Sequence, residues 1–266
     1  MQPPLRSLHV LWAVVCHCVV FAMPLAARSE WLEERTVDRF EVRSEFTLSD
    51  DRGRAVLAEL PRLRGDIETV LGVEADGQPI EVNLFAGRRS YQRFLAVRVP
   101  DAASRVALYV QGTDRGRVYV HRHYGFETDL RHECTHALLH NALPYVPMWL
   151  DEGFAEYFEV PAEKRAAGNP HLASVRRAML LRWKPLLADL EQLDNLNEMT
   201  ANDYRDSWAW VHFMLHGPQE ARQTLSNYLY DVRMGNPAGL LSERLAAEVP
   251  DTGRHLTRHF RDFQSL

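Results

Sequence analysis

A surplus of basic charge is missing: 31 Lys+Arg stand against 36 Asp+Glu, a formal net charge of −5 at pH 7 with His neutral. With few spare cations to neutralise a phosphate backbone, nucleic acid is excluded as an expected partner. Cysteine is scarce, with Cys16, Cys18 and Cys134 the only ones. The first two fall in the N-terminal apolar stretch, so a chain that loses that stretch keeps Cys134 alone and can form no intrachain disulfide. Glycine and proline, 14 of each, are scattered rather than clustered, which excludes collagen-like and low-complexity classes. No repeat period is present. Long hydrophobic runs are lacking too, apart from Leu8–Met23, whose strongly polar members are His9 and His17.

That run is shorter than the ~20 residues of a membrane-spanning helix. Arg6 precedes it and Pro24-Leu25-Ala26-Ala27 follows it, the layout of a secretory signal with cleavage near Ala27. Leu25 is larger than the residue usual three places before a cleavage point, which keeps an uncleaved anchor open beside a buried N-terminal helix. The expectation is a signal peptide over residues 1–27 and export to the periplasm or the exterior, with no stable span in the mature chain. The sequence leaves the oligomeric state open.

The remainder is 46% hydrophobic by the whole-chain count, enough for a sizeable core, and it has two styles. Residues 28–121 mix strand and helix signals. Phe40–Phe46 and Ile80–Phe85 alternate at period two, and Ala107–Val110 with Arg117–His121 read as a hairpin across 112–116. Helical spacing runs over 54–71 and 88–97. Residues 122–266 read as helices over 127–141, 148–159, 172–183, 203–216, 218–232 and 252–263, with 161–170 as a flexible connection. The fold class expected is α+β: a small mixed sheet whose edge strand packs on one special helix, followed by a mainly helical part.

The chemistry sits where the styles meet. His132-Glu133-Cys134-Thr135-His136 matches H-E-x-x-H. Residues four apart stack on one helix face, so two imidazoles can reach one ion while Glu133 points at a metal-bound water. The competing reading is a surface helix with polar histidines. Against it, Leu130, Cys134, Ala137, Leu138 and Asn141 form a stripe distinct from the His132/His136 edge. Cys134 therefore reads as a small buried hydrophobe, and Thr128 or Asp129 as the helix cap. Two histidines need a third ligand. His140 continues the series, but three in a line along one helix cannot converge on a tetrahedral ion, so it is a neighbour. Beyond Pro144 and Pro147, a second helix places Leu150, Phe154, Tyr157 and Phe158 on one side and Glu152 with Glu156 on another, and a carboxylate there can complete the site.

H-E-x-x-H followed by Trp149-Leu150-Asp151-Glu152-Gly153-Phe154-Ala155-Glu156-Tyr157 resembles the signature of the gluzincin zinc metallopeptidases. The text is most similar to the peptidase-MA-like bacterial proteins, whose substrates are mostly unassigned. The resemblance implies a zincin-like fold, a Zn2+ ion held by His132, His136 and Glu152, Glu133 as general base, and Glu156 as the acidic residue steadying a histidine ligand. It also implies an oxyanion donor from a downstream helix, with Tyr204 first and His212 second, and an edge strand in 106–121 that binds an extended peptide. The Gly-x-Met-Glu-Asn element of the aminopeptidase branch is absent. The expected function is an exported metallopeptidase acting on a peptide or protein. The alternatives are a non-catalytic zinc protein that presents a peptide groove, and hydrolysis of a non-peptide amide.

Overall fold

A computed structural model describes residues 31–102 and 105–263; the expected signal peptide lies outside the described residues. Two strands come first among the described residues, β1 (Glu33–Val37) and β2 (Phe40–Ser44), followed by α1 (Asp51–Leu71), β3 (Ile80–Phe85), α2 (Arg88–Arg98), β4 (Ala107–Gln111) and β5 (Gly116–His121). The sheet order is β1-β2-β3-β5-β4. Its outer pairs are antiparallel, whereas β2–β3 and β3–β5 are parallel. Parallel neighbours need a crossover, and α1 and α2 supply them. In α1 the buried Val56, Leu60, Leu63, Ile67 and Leu71 recur at helical spacing. Asp50 caps its start by accepting from the Gly53 N–H at 2.7 Å, and Gly72 ends it at φ 67°, where a side chain would be strained.

The helical part comprises α3 (Phe126–Ala142), α4 (Met148–Phe158), α5 (Ala162–Arg165), α6 (Pro170–Met179), α7 (Leu187–Leu190), α8 (Ala201–His216), α9 (Gln219–Arg233), α10 (Leu241–Glu248) and α11 (Thr252–Asp262). The mixed α+β character is as expected, and more than half of the described residues are helical. α3 lies on edge strand β4 and on β5, with α1 beside it, and α4 packs between α3 and α8. One core cluster runs without interruption from Phe40 to Phe260 across residue 121. A smaller one under α2 covers the opposite face of the sheet with Phe85, Tyr91, Phe94 and Tyr119. The α4–α8 contact is close because Gly153 has no side chain: a Cβ there would meet the Ser207 carbonyl oxygen and Val211 Cγ2 at 2.8 Å each.

Several local expectations are corrected. Gly125, not Thr128 or Asp129, occupies the N-cap of α3, without a side-chain cap; Asp129 instead holds His123 Nε2 at 2.8 Å. Asn141 is half-buried rather than core, since its amide donates to the Gln78 carbonyl at 2.8 Å. The helix expected over 172–183 stops at Met179, because turn bonds and a left-handed Arg182 (φ 59°) reverse the chain. The connection 161–170 is pinned, not loose: buried Arg165 pairs with Asp66 at 2.8 Å and lies over the Phe158 ring, and Asn169 donates to the Glu156 carbonyl at 2.8 Å.

Candidate metal centre

The apolar stripe of α3 is buried through Leu130, Cys134, Ala137 and Leu138. With that face committed to the core, the remaining edge of the helix turns His132 and His136 toward α4. α4 is itself buried along Leu150, Phe154, Tyr157 and Phe158, which directs Asp151 and Glu152 back at the histidines. Glu152 Oε2 lies 3.4 Å from His132 Nε2 and 3.7 Å from His136 Nε2. One ligand atom from each of the three lies within 4.8 Å of the others. Ligands about 2.0–2.2 Å from a tetrahedral zinc stand roughly 3.4 Å apart, so this donor set fits such an ion.

Carboxylates also face the outer nitrogens. His136 Nδ1 is 3.0 Å from Asp151 Oδ2, and His132 Nδ1 is 3.3 Å from Glu159 Oε2. Metal-bound imidazoles usually carry such carboxylate partners, which fix the ring and its tautomer. Asp151 also takes His140 Nε2 at 3.0 Å, so His140 reaches the cluster through a carboxylate. Tyr109 of β4 lies nearly parallel to the His136 ring, 6.2 Å between centroids, and edge-on to His140 at 5.3 Å.

The electrostatics follow from this crowding. Burial opposes charge on His132, yet hydrogen bonds to Glu152 and Glu159 outweigh it and raise its pKa well above the usual imidazole value. For His136 burial is likewise overcome, chiefly by the Asp151 charge, and the pKa rises to about 9. Asp151 is held far below the usual carboxylate range by His136 and His140, against its burial. Burial pushes Glu133 up, against the pull of His132 and His136. Carboxylates at 133, 151, 152 and 159 thus surround two imidazoles, a set of side chains whose chemistry suits a divalent cation.

Glu156, expected to steady a histidine ligand, has a carboxylate oxygen within 4.8 Å of a His132 ring nitrogen. Its Oε2 accepts from His171 Nε2 at 2.8 Å. Burial opposes its charge, but the His171 bond, the His132 charge and a hydrogen bond with Glu159 bring its pKa below the usual value. It therefore adjoins the cluster beside both His132 and Glu159. A second grouping, His132, Glu156 and Glu159, also has ligand atoms within 4.8 Å of one another. The residues that face the outer nitrogens, Asp151 and Glu159, were missed by sequence reasoning. Helical periodicity held the signal for one of them, since Glu152, Glu156 and Glu159 are spaced i, i+4, i+7.

Tyr204 lies just inside α8, whose start is fixed by a capping box: Asp203 Oδ2 accepts from the Thr200 N–H and hydroxyl at 2.7 Å each. It is half-buried. Burial raises its phenol pKa, as does the charge of Glu152, while His132 and Arg105 lower it. His212 is corrected as a donor. It is fully buried, with Nε2 donating to the Ala166 carbonyl at 2.8 Å and Nδ1 against His259 Nε2 at 2.9 Å, so both nitrogens are taken. Cys134 is free and buried, with its thiol pKa pushed up by burial.

Away from the cluster, a cavity of about 610 Å³ lies between α9 and α10, lined by Glu220, Gln223, Asn227, Arg244 and Glu248 among others. A family model described as a protein of unknown function (DUF1570) matches residues 128–237. That stretch holds every residue of the cluster and Tyr204, and leaves the sheet outside. No curated protein matches the chain.

Proposed function

We propose that the chain is an exported zinc-dependent metallopeptidase of gluzincin type, with a zincin-like fold. The observation that carries the reading is the convergence of His132, His136 and Glu152 with Glu133 beside them on α3. A purely structural site has no use for a base at that place. His132, His136 and Glu152 would hold the ion, with Asp151 and Glu159 orienting the imidazoles. Zinc, when bound, would polarise the scissile carbonyl and acidify a water. Glu133, its pKa raised by burial, is suited to take a proton from the attacking water and to deliver it to the leaving amine. Tyr204 is the donor for the developing oxyanion. The backbone of Tyr109, on edge strand β4, is close enough to Glu133 to act on its carboxylate. A peptide laid along that edge would bring its carbonyl to the base.

The test combines metal analysis with cleavage of an unbiased peptide library, comparing wild type with Glu133→Gln. Zinc at one per chain in both proteins, and cleavage in wild type alone, is the expected result. Zinc in both without cleavage in either would overturn the peptidase reading in favour of a non-catalytic zinc protein.

A further inference from the structure

The surface after α6 departs from the acidic balance of the chain. Within residues 170–190, Arg176, Arg177, Arg182 and Lys184 face a single acidic residue, Asp189. Three leucines stand out among them: Leu180 is 84% exposed, Leu181 85% and Leu186 61%. Single exposed apolar residues need no explanation, but three beside unpaired cations do. Arg177, Arg182 and Lys184 have no ion pair or side-chain hydrogen bond among the described residues.

The exposure is built in rather than a loose end. The Leu181 N–H donates to the Ala178 carbonyl at 2.8 Å, and Arg182 turns the chain in the left-handed region at φ 59°. Trp183 then anchors the turn: it is buried, its indole N–H donates to Asp206 at 2.8 Å, and its ring packs on Phe260 of α11. Arg176 reaches the Phe263 carbonyl at the end of α11, 2.7 Å away. The turn therefore cannot fold its leucines inward without dislodging a buried tryptophan.

We infer that this flank docks on an anionic lipid surface, with Leu180 and Leu181 entering the headgroup boundary and Arg177, Arg182 and Lys184 meeting the phosphates. Apolar tips flanked by cations suit that interface, because each group alone binds weakly and the two together hold. An anionic surface also complements the cations of a chain whose net charge of −5 would otherwise be repelled. The inference is independent of the peptidase reading.

The test is co-sedimentation of the purified full chain with vesicles of phosphatidylglycerol and phosphatidylcholine in equal parts, or of phosphatidylcholine alone. Wild type is compared with Leu180→Ser/Leu181→Ser and with Arg177→Gln/Arg182→Gln/Lys184→Gln. All share one N terminus, so any contribution of Leu8–Met23 cancels in the ratios. The leucine variant should lose about tenfold or more in partitioning onto the anionic vesicles. The charge variant should lose about 100-fold at low salt and nothing on phosphatidylcholine, since each cation near such a surface contributes about fivefold. Raising salt should erase the wild-type preference. The sites are exposed, so melting temperatures should match. Equal partitioning of the three proteins onto anionic vesicles overturns the inference. So would a self-association that the leucine variant abolishes without any change in lipid binding, which would assign the flank to a second copy of the chain.

Discussion

At the scale of single residues, the division of labour around the cluster makes separable predictions. Glu133→Gln keeps the size of the side chain and leaves His132, His136 and Glu152 intact. Zinc stoichiometry should stay at the wild-type value while peptide cleavage drops by at least ~10²-fold, the usual contribution of a general base. Glu152→Ala removes a ligand and should lose zinc first in a chelator titration. Asp151→Ala and Glu159→Ala each free one imidazole to turn and should weaken zinc affinity by about 10–100-fold. Glu156→Ala acts through Glu159 and His171, so its loss should be smaller than that of Glu159→Ala. The reverse order would return Glu156 to the place that family resemblance gave it. His132, Glu133, His136 and Glu152 were legible because helical spacing fixes which side chains can meet. Asp151 was not, because it lies one residue from Glu152, and which of two adjacent carboxylates faces which nitrogen depends on how α4 is rotated against α3.

Among the elements, the sequence spoke clearly where burial is one-sided and poorly where it is not. β3 alternates in sequence as Ile80-Glu81-Val82-Asn83-Leu84-Phe85, yet the whole strand is buried. It lies between two parallel neighbours with helices on both faces, and its polar side chains pair with each other, Asn83 donating to Glu81 at 2.9 Å. β1 went unread because Glu33-Glu34-Arg35 carries no apolar alternation, as suits an exposed edge. The α8–α11 contact makes an element-scale prediction. His212, His216 and His259 are gathered there, with His212 ring centroids 4.6 Å from His216 and 5.1 Å from His259. Burial lowers the pKa of His212 to about 3 and of His259 to about 4, and lowers that of His216 as well. Arg222 adds to the depression at His216, and Tyr157 bonds to its Nε2 at 2.9 Å. Since the folded pKa values lie below the unfolded ~6.5, the unfolded chain takes up protons first as pH falls. The stabilisation is complete above about pH 6.5 and drains away toward pH 4. Thermal midpoints measured from pH 7.5 to 4.5 should fall less steeply for His259→Gln, which still offers His212 a donor, than for wild type. The difference should be on the order of 1–3 kcal/mol. A second element-scale test is Gly153→Ala, whose methyl must push α8 away from α4. Cleavage should fall, because Tyr204 moves with α8, whereas zinc binding, which uses only α3 and α4, should persist.

For the molecule as a whole, the proposed ion would bind the folded chain and not the unfolded one. At a free zinc concentration 1,000 times the dissociation constant, the added stability is about 4 kcal/mol. Chelation should then lower the melting temperature by roughly 8–16 °C for a chain of this size, a shift that calorimetry with and without chelator would show. Glu152→Ala should already melt at the lower temperature. The α+β class was visible from the change of periodicity at residue 121, but the seam it suggests is not a seam in the core. Phe40 and Val82 of the sheet belong to the same apolar cluster as Leu138 of α3, Phe154 of α4 and Phe260 of α11. A shared core makes for cooperativity. Loss of the sheet, loss of the helices and release of the ion should coincide in one transition, at the same denaturant concentration by every probe. The matched stretch 128–237, expressed by itself, would then leave the sheet-facing side of α3 bare and should not fold. The metal would act as an indicator for the entire chain: a protein that still holds its zinc is one in which no part of that core has come apart.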